Sequence, residues 1–163
     1  MDLFESIFDR RSVRKFTEEP VTDQQLEKIL DAGRWAPSGK NTQPWSFVVV
    51  RDPEVQKKLE NHSGQGIIES APITIGLLKD TSRGYDELKD AQGIGACAQN
   101  ILLAVHGLGL GACWLGLTRD SFVEELLGAE EDEELMMLIS VGRPAAEERS
   151  SDRKPLEALT RYI

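Results

Sequence analysis

The sequence predicts an α/β-type chain, a β-sheet covered by helices on both faces, built as one domain over residues 1–163. Three observations carry this. Short apolar runs at 47–50, 72–78 and 135–142 are bounded by polar or turn residues and too short to be globular helices. They alternate along the chain with segments whose apolar residues recur at helical spacing. The runs are apolar at nearly every position, as expected of strands buried on both faces. A chain of 163 residues with 40% hydrophobic side chains is the size of one domain and can bury a real core.

The elements follow in order. Leu3, Phe4, Ile7 and Phe8 recur at helical spacing. Thr22 is an N-cap candidate for a helix to residue 34 that carries Leu26, Ile29 and Leu30 on one face. Phe47 to Val50 reads as a buried strand, and Pro53 opens a short polar helix. Pro72 to Leu78 reads as a second buried strand. Residues 86–106 form the longest helix, and its middle, Ala91 to Ala98, is almost all small side chains that allow another backbone to approach. Gly111 to Leu117 reads as a third strand, 119–127 as a helix and Leu135 to Gly142 as a fourth strand. From Arg143 the chain is polar and proline-punctuated until Leu156-Glu157-Ala158-Leu159, and its last residues, 159–163, suit addition to a sheet edge.

Composition narrows the function classes. The net charge of −9 and pI near 4.8 oppose generic binding to nucleic acid or an anionic membrane. No window reaches the roughly 18 apolar residues of a membrane span. The N-terminus lacks the basic and apolar regions of a signal peptide, so the expectation is a cytoplasmic protein. Cys97 and Cys113 are too few for a disulfide framework and sit in apolar surroundings, as core residues do. His62 and His106 show no ligand-like spacing, no metal site is expected, and His106 reads as a satisfied structural group. The acidic run Glu130 to Glu134 reads as a solvated turn before the last strand.

Against this acidic background, Arg10-Arg11-Ser12-Val13-Arg14-Lys15 places four cations in six positions, a local +4 that leaves −13 for the remainder. Such a segment is either a solvated basic face or an anion site, and arginine forks with a serine hydroxyl suit phosphate. Trp35-Ala36-Pro37-Ser38-Gly39-Lys40-Asn41-Thr42-Gln43-Pro44-Trp45 follows, dense in amides and hydroxyls between two tryptophans. Gly107-Leu108-Gly109-Leu110-Gly111-Ala112 fits the dinucleotide pattern Gly-x-Gly-x-x-Gly/Ala by letter. A dinucleotide loop must follow a strand and open a helix, and here the order is reversed; Gly107 reads instead as a helix C′ residue. No Gly-x-Ser-x-Gly elbow or Walker A loop is present. An enzyme without an obvious acid, base or nucleophile is what a cofactor-borne reaction produces.

The 10–16 segment followed by the 35–45 loop, with Gly111-Ala112-Cys113-Trp114-Leu115-Gly116, Val141-Gly142-Arg143-Pro144 and Arg153-Lys154-Pro155-Leu156, resembles the nitroreductase-like family of FMN-dependent oxidoreductases over nearly the whole chain. The resemblance implies an α+β, three-layer α-β-α sandwich with a central mixed sheet. It also implies a homodimer with FMN at each of two interfaces and a C-terminal segment that crosses to the partner's sheet. Position by position, it implies that Arg10 binds the FMN phosphate, that Ser12 adds a hydroxyl, and that Arg11 joins through main chain or side chain. Arg14 matches the cation near the pyrimidine edge of the ring. Pro37, Ser38 and Asn41, with Gln43 a weaker candidate, match the loop supplied by the other subunit. Trp114, Leu115 and Gly116 would flank the ring, and Arg153 with Lys154 would complete the phosphate site.

The activity implied is NADH or NADPH oxidation by ping-pong hydride transfer through flavin N5 to a small acceptor such as a nitroaromatic or quinone, with no catalytic side chain. Rivals are a non-catalytic FMN-binding sensor or carrier, and a specialised member that destroys flavin or dehalogenates reductively. The chain is short where longer members carry a helical insertion: only 80–91 fills that space. Tyr85, its one aromatic, is either a substrate contact or an exposed residue on a mobile loop.

Overall fold

The structure, a computed structural model, describes residues 2–63, 65–116, 121–146 and 152–163. Helix α1 (Leu3–Asp9) starts at a capping box in which the Asp2 carboxylate accepts from the Glu5 N–H and Glu5 from the Asp2 N–H, both at 2.9 Å. Helix α2 (Asp23–Arg34) repeats the device with Thr22 and Gln25. Strand β1 (Trp45–Val50) and helix α3 (Pro53–Ser63) follow. Strand β2 (Ile73–Asp80), helix α4 (Glu87–Gly107), strand β3 (Gly111–Leu115), helix α5 (Ser121–Leu127) and strand β4 (Glu133–Gly142) complete the body, with short 3₁₀ turns at Gly39–Asn41 and Leu156–Ala158.

Among the described residues the strands form one sheet in the order β1-β2-β4-β3, every neighbour antiparallel. The parallel component of this α+β sheet is an isolated bridge of Ser12 to Ala112 on the outer edge of β3. Alternation along the strands divides the core into two layers. On one face Ile73, Ile75, Leu77, Ile139 and Val141 meet Ile29 of α2 and Ile94, Cys97, Ile101 and Val105 of α4. On the other, Leu115, Leu135 and Leu138 meet Leu59 of α3 and Val123 and Leu127 of α5, together with Val13 and Phe16. Helices on both faces give the three-layer sandwich. Helix α2 packs closely on α4 at Gly33, where a Cβ would come within 3.2 Å of Cys97 Sγ and 2.9 Å of Ile101.

Several boundaries differ from the sequence expectation: β1 starts at Trp45, two residues before Phe47, and β2 runs on to Asp80, past Leu78. The left-handed residue after α4 is Gly109 (φ +73°), while Gly107 ends the helix. Leu110 N–H bonds the Val105 carbonyl at 3.0 Å and Gly109 N–H the His106 carbonyl at 2.9 Å, a Schellman pair, so the Gly-x-Gly run is a helix exit. Strand β4 begins at Glu133 because Glu133 accepts from the Ser46 hydroxyl and Glu134 pairs with Lys79 at 3.7 Å; those two carboxylates belong to the sheet. Strand β3 ends at Leu115, and the residues expected to extend it and to open α5, 117 and 119–120, lie outside the described residues. The histidine reading is corrected as well: His106 Nε2 is buried with no hydrogen-bond partner among the described residues.

Candidate functional site

The first cluster forms along the outer edge of β3. Val13 is buried, its N–H bonded to the Ala112 carbonyl at 2.9 Å, and Gly111 lies so close to it that a Cβ there would overlap the Val13 side chain. Anchoring Val13 inward leaves its neighbours Ser12 and Arg14 outward and exposed. Arg14 touches the Ser12 carbonyl at 3.3 Å. Arg10, half-buried, is the C-cap of α1. Neither Arg10 nor Arg14 has a carboxylate partner among the described residues, although the chain carries 28 acidic side chains. Arg11 differs: its guanidinium donates to the carbonyls of Phe8 at 2.6 Å and Arg10 at 3.0 Å, closing the end of α1 where the helix dipole favours a cation.

Across from this segment, Trp114 is exposed and Leu115 is buried in the core, so Leu115 offers a ligand only its main chain. At Gly116 a Cβ would meet nothing within 4 Å among the described residues, its chain neighbours aside. The buried thiols are inert: burial pushes the Cys97 pKa up to about 12. Burial also raises that of Cys113, against the opposing charge of nearby Arg14.

The second cluster is the loop entering β1. Lys40, Asn41 and Gln43 all hold left-handed backbone angles, φ +53°, +57° and +49°. The Ser38 hydroxyl accepts from the Gln43 N–H at 2.9 Å, and the Ser38 carbonyl from the Asn41 N–H at 3.0 Å. Pro37 and Ser38 lie over Gly93 of α4, where a Cβ would contact both at 3.5–3.6 Å. Tyr85 is 41% exposed, and its ring is nevertheless engaged. Its ring lies against Gly39, with the Lys40 ammonium 4.5 Å from the ring centroid. Lys40 and Gly39 were not marked by the sequence reading, because their partner is distant along the chain.

The two clusters attach to opposite edge strands, β3 and β1, three inter-strand spacings or roughly 14 Å apart. Among the described residues no hydrogen bond or ion pair joins them. Arg153 and Lys154 sit on a segment, 152–163, whose residues are all exposed; Arg153 donates to the Asp152 carbonyl at 3.1 Å.

Comparison with known proteins places this geometry. The Nitroreductase family profile matches residues 7–77 and 63–143. An inferred NADH dehydrogenase/NAD(P)H nitroreductase of Methanothermobacter thermautotrophicus is 36% identical over 150 residues, covering 89% of this chain and 78% of the relative. A solved structure of an inferred nitroreductase in complex with FMN, from Desulfovibrio desulfuricans, superposes with a TM-score of 0.93 at 38% identity, covering 100% of this chain and 97% of the other. The NADPH:FMN oxidoreductase of Vibrio harveyi, solved with NAD+, superposes with a TM-score of 0.90 at 31% identity, covering 98% and 76%. With a family profile spanning both the arginine segment and the sheet edge it lies on, the chain belongs to the nitroreductase family.

Proposed function

We propose that the chain binds FMN and works as an FMN-dependent NAD(P)H oxidoreductase of the nitroreductase type, as a homodimer that shares each flavin site between two subunits. The observation that carries the reading is that Arg10 and Arg14, beside the edge of β3, have no carboxylate partner among the described residues in a chain of net charge −9. Two guanidinium groups left without carboxylates, beside a serine hydroxyl and an open glycine, are a donor set that fits a phosphate and a flat ring.

When bound, FMN supplies hydride acceptance from a reduced nicotinamide and delivery to a small acceptor such as a nitroaromatic or quinone, in ping-pong order. The residues of the chain bind and tune. Arg10 and Ser12 take the phosphate, with Arg153 and Lys154 completing its shell. Arg11, committed to the end of α1, contributes main chain. Arg14 presents positive charge at the pyrimidine edge, where reduction adds negative charge. Trp114 and the main chain of Leu115 and Gly116 bound the ring, and Pro37, Ser38, Asn41 and Gln43 reach the flavin of the partner.

The dimer has independent support. Leu3, Phe4, Ile7 and Phe8 of α1 are exposed, Phe8 at 68%, and so are Trp35, Leu156, Leu159 and Tyr162. Apolar exposure on this scale marks a contact surface. The separation of the two clusters onto opposite sheet edges supports a site completed by a second copy. The proposed swap of the C-terminal segment onto the partner's sheet is in keeping with the full exposure of 152–163.

The test compares FMN with riboflavin, which lacks the phosphate. Titration into flavin-free protein should show FMN binding at least about tenfold more tightly, the scale of one charge-assisted hydrogen bond. Equal affinities would remove the phosphate role of the arginines, and no uptake of either would remove the reading.

A further inference from the structure

The loop Ser38 to Gln43 holds three side-chain-bearing residues in the left-handed region, and only one of them, Asn41, is of a type that visits it readily. Such a conformation persists only where its surroundings over-determine it. Part of the restraint is internal, the bonds of Gln43 N–H to Ser38 Oγ and of Thr42 N–H to the Gly39 carbonyl at 3.1 Å. Helix α4 supports Pro37 and Ser38 at Gly93, and a further contact comes from Tyr85. Its ring covers Gly39 so closely that a Cβ there would overlap the hydroxyl and fall 2.6 Å from two ring carbons. The Lys40 ammonium lies over the same ring at 4.5 Å, within cation–π range.

Tyr85 is itself held from behind. The Asp90 carboxylate, 3% exposed, accepts from the Tyr85 N–H at 3.0 Å and the Asp86 N–H at 3.2 Å through one oxygen. Gly84 permits that turn, since a Cβ there would lie 2.6 Å from the same oxygen. A buried carboxylate at the start of α4 thus fixes residues 84–86, and the tyrosine presses on Gly39 and Lys40.

We propose that Tyr85 is a positioning residue: it clamps Gly39 and Lys40 and so holds Asn41 and Gln43 in the backbone geometry in which they meet the flavin. The proposal rests on the FMN reading above, and it replaces substrate contact as the role of Tyr85. The ring face meets Lys40, and the hydroxyl end of the ring, the oxygen with two ring carbons beside it, covers Gly39; phenylalanine keeps the face and both carbons.

The experiment uses the full chain in its flavin-free and FMN-loaded forms, with Tyr85→Phe, Tyr85→Ala, Gly39→Ala and the Gly39→Ala/Tyr85→Ala pair. Two readouts are taken: hydrogen exchange at the amides of Asn41, Thr42, Gln43 and Trp45 without FMN, and the rate of FMN release. Tyr85→Ala should speed both by about tenfold, the loss of a cation–π contact and its packing, while Tyr85→Phe stays within about twofold of the native chain. Gly39→Ala should mimic Tyr85→Ala by expelling the ring, and the pair should be no worse than Tyr85→Ala alone, because both changes break one contact. Unchanged amide exchange in Tyr85→Ala overturns the clamp whatever the flavin does. Faster exchange with unchanged FMN release overturns the positioning role. A native chain that takes up no FMN removes the flavin reading, and the proposal with it, even if the exchange data still show the clamp.

Discussion

The Val13 N–H donates to the Ala112 carbonyl oxygen at 2.9 Å, and this bond fastens the arginine segment to the edge of β3. It turns Val13 into the core and leaves Ser12 and Arg14 exposed along the edge of β3, the strand that carries Trp114. Contact between segments a hundred residues apart is what sets the basic run on the sheet edge.

Arg10→Ala should weaken FMN by about 1.5–3 kcal/mol, the range of a charge-assisted hydrogen bond, with the fold intact. A flavin titration followed by fluorescence checks this. Affinity equal to the native chain would take Arg10 out of the phosphate shell.

Arg14→Gln should lower the midpoint potential of the bound flavin and slow its reduction by nicotinamide. A cation at the pyrimidine edge favours the form that carries negative charge, and glutamine removes that charge while keeping a donor. Potentiometry showing no downward shift would deny Arg14 the tuning role even if it touches the flavin.

The FMN-loaded protein should scatter light as a particle of twice the 18.1 kDa chain mass. Phe8→Asp, which puts a charge on the exposed face of α1, should shift that mass toward the single chain and release flavin with it. A monomer that retains FMN would contradict a site shared between subunits.

Glu60 should be an acid-sensitive post. It is 7% exposed, and its carboxylate accepts from the N–H groups of Gly66 at 2.6 Å, Ile68 at 2.7 Å and Glu69 at 3.4 Å, and from the Ser63 hydroxyl at 3.2 Å. Burial acts to raise its pKa, but these donors together outweigh burial and hold it below the ordinary 4.5. A depressed folded pKa contributes stability that is present above 4.5 and is lost as pH falls through the folded value. Glu60→Gln should therefore cost about 1–3 kcal/mol in urea unfolding at neutral pH, with the gap to the native chain narrowing below 4.5. A gap that does not change with pH would show that the charge is not what holds residues 66–69.

The sequence announced what depends on neighbours in the chain. Thr22 with Gln25 announced α2, and the apolar runs announced the strands, because capping and alternation are local. The arginine segment stands out in the sequence as a candidate anion site because its charge contrasts with the rest of the chain. What stayed hidden depends on distant partners. Glu133 and Glu134 read as a solvated turn because Ser46 and Lys79, which draw them into the sheet, lie far upstream. Gly109 rather than Gly107 turns the chain, since Leu110 must bury itself and bond back to Val105. Tyr85 reads from sequence as a substrate contact or an exposed aromatic because Gly39 and Lys40 meet it only after folding.

The visible spectrum of the purified protein, followed by anaerobic addition of NADH and then NADPH, tests the central claim most directly. The account predicts a yellow protein with bound FMN whose absorbance bleaches with at least one of the two nicotinamides and returns when a quinone or nitroaromatic is added. A colourless protein that takes up no FMN, or one whose bound flavin neither nicotinamide bleaches, would contradict it.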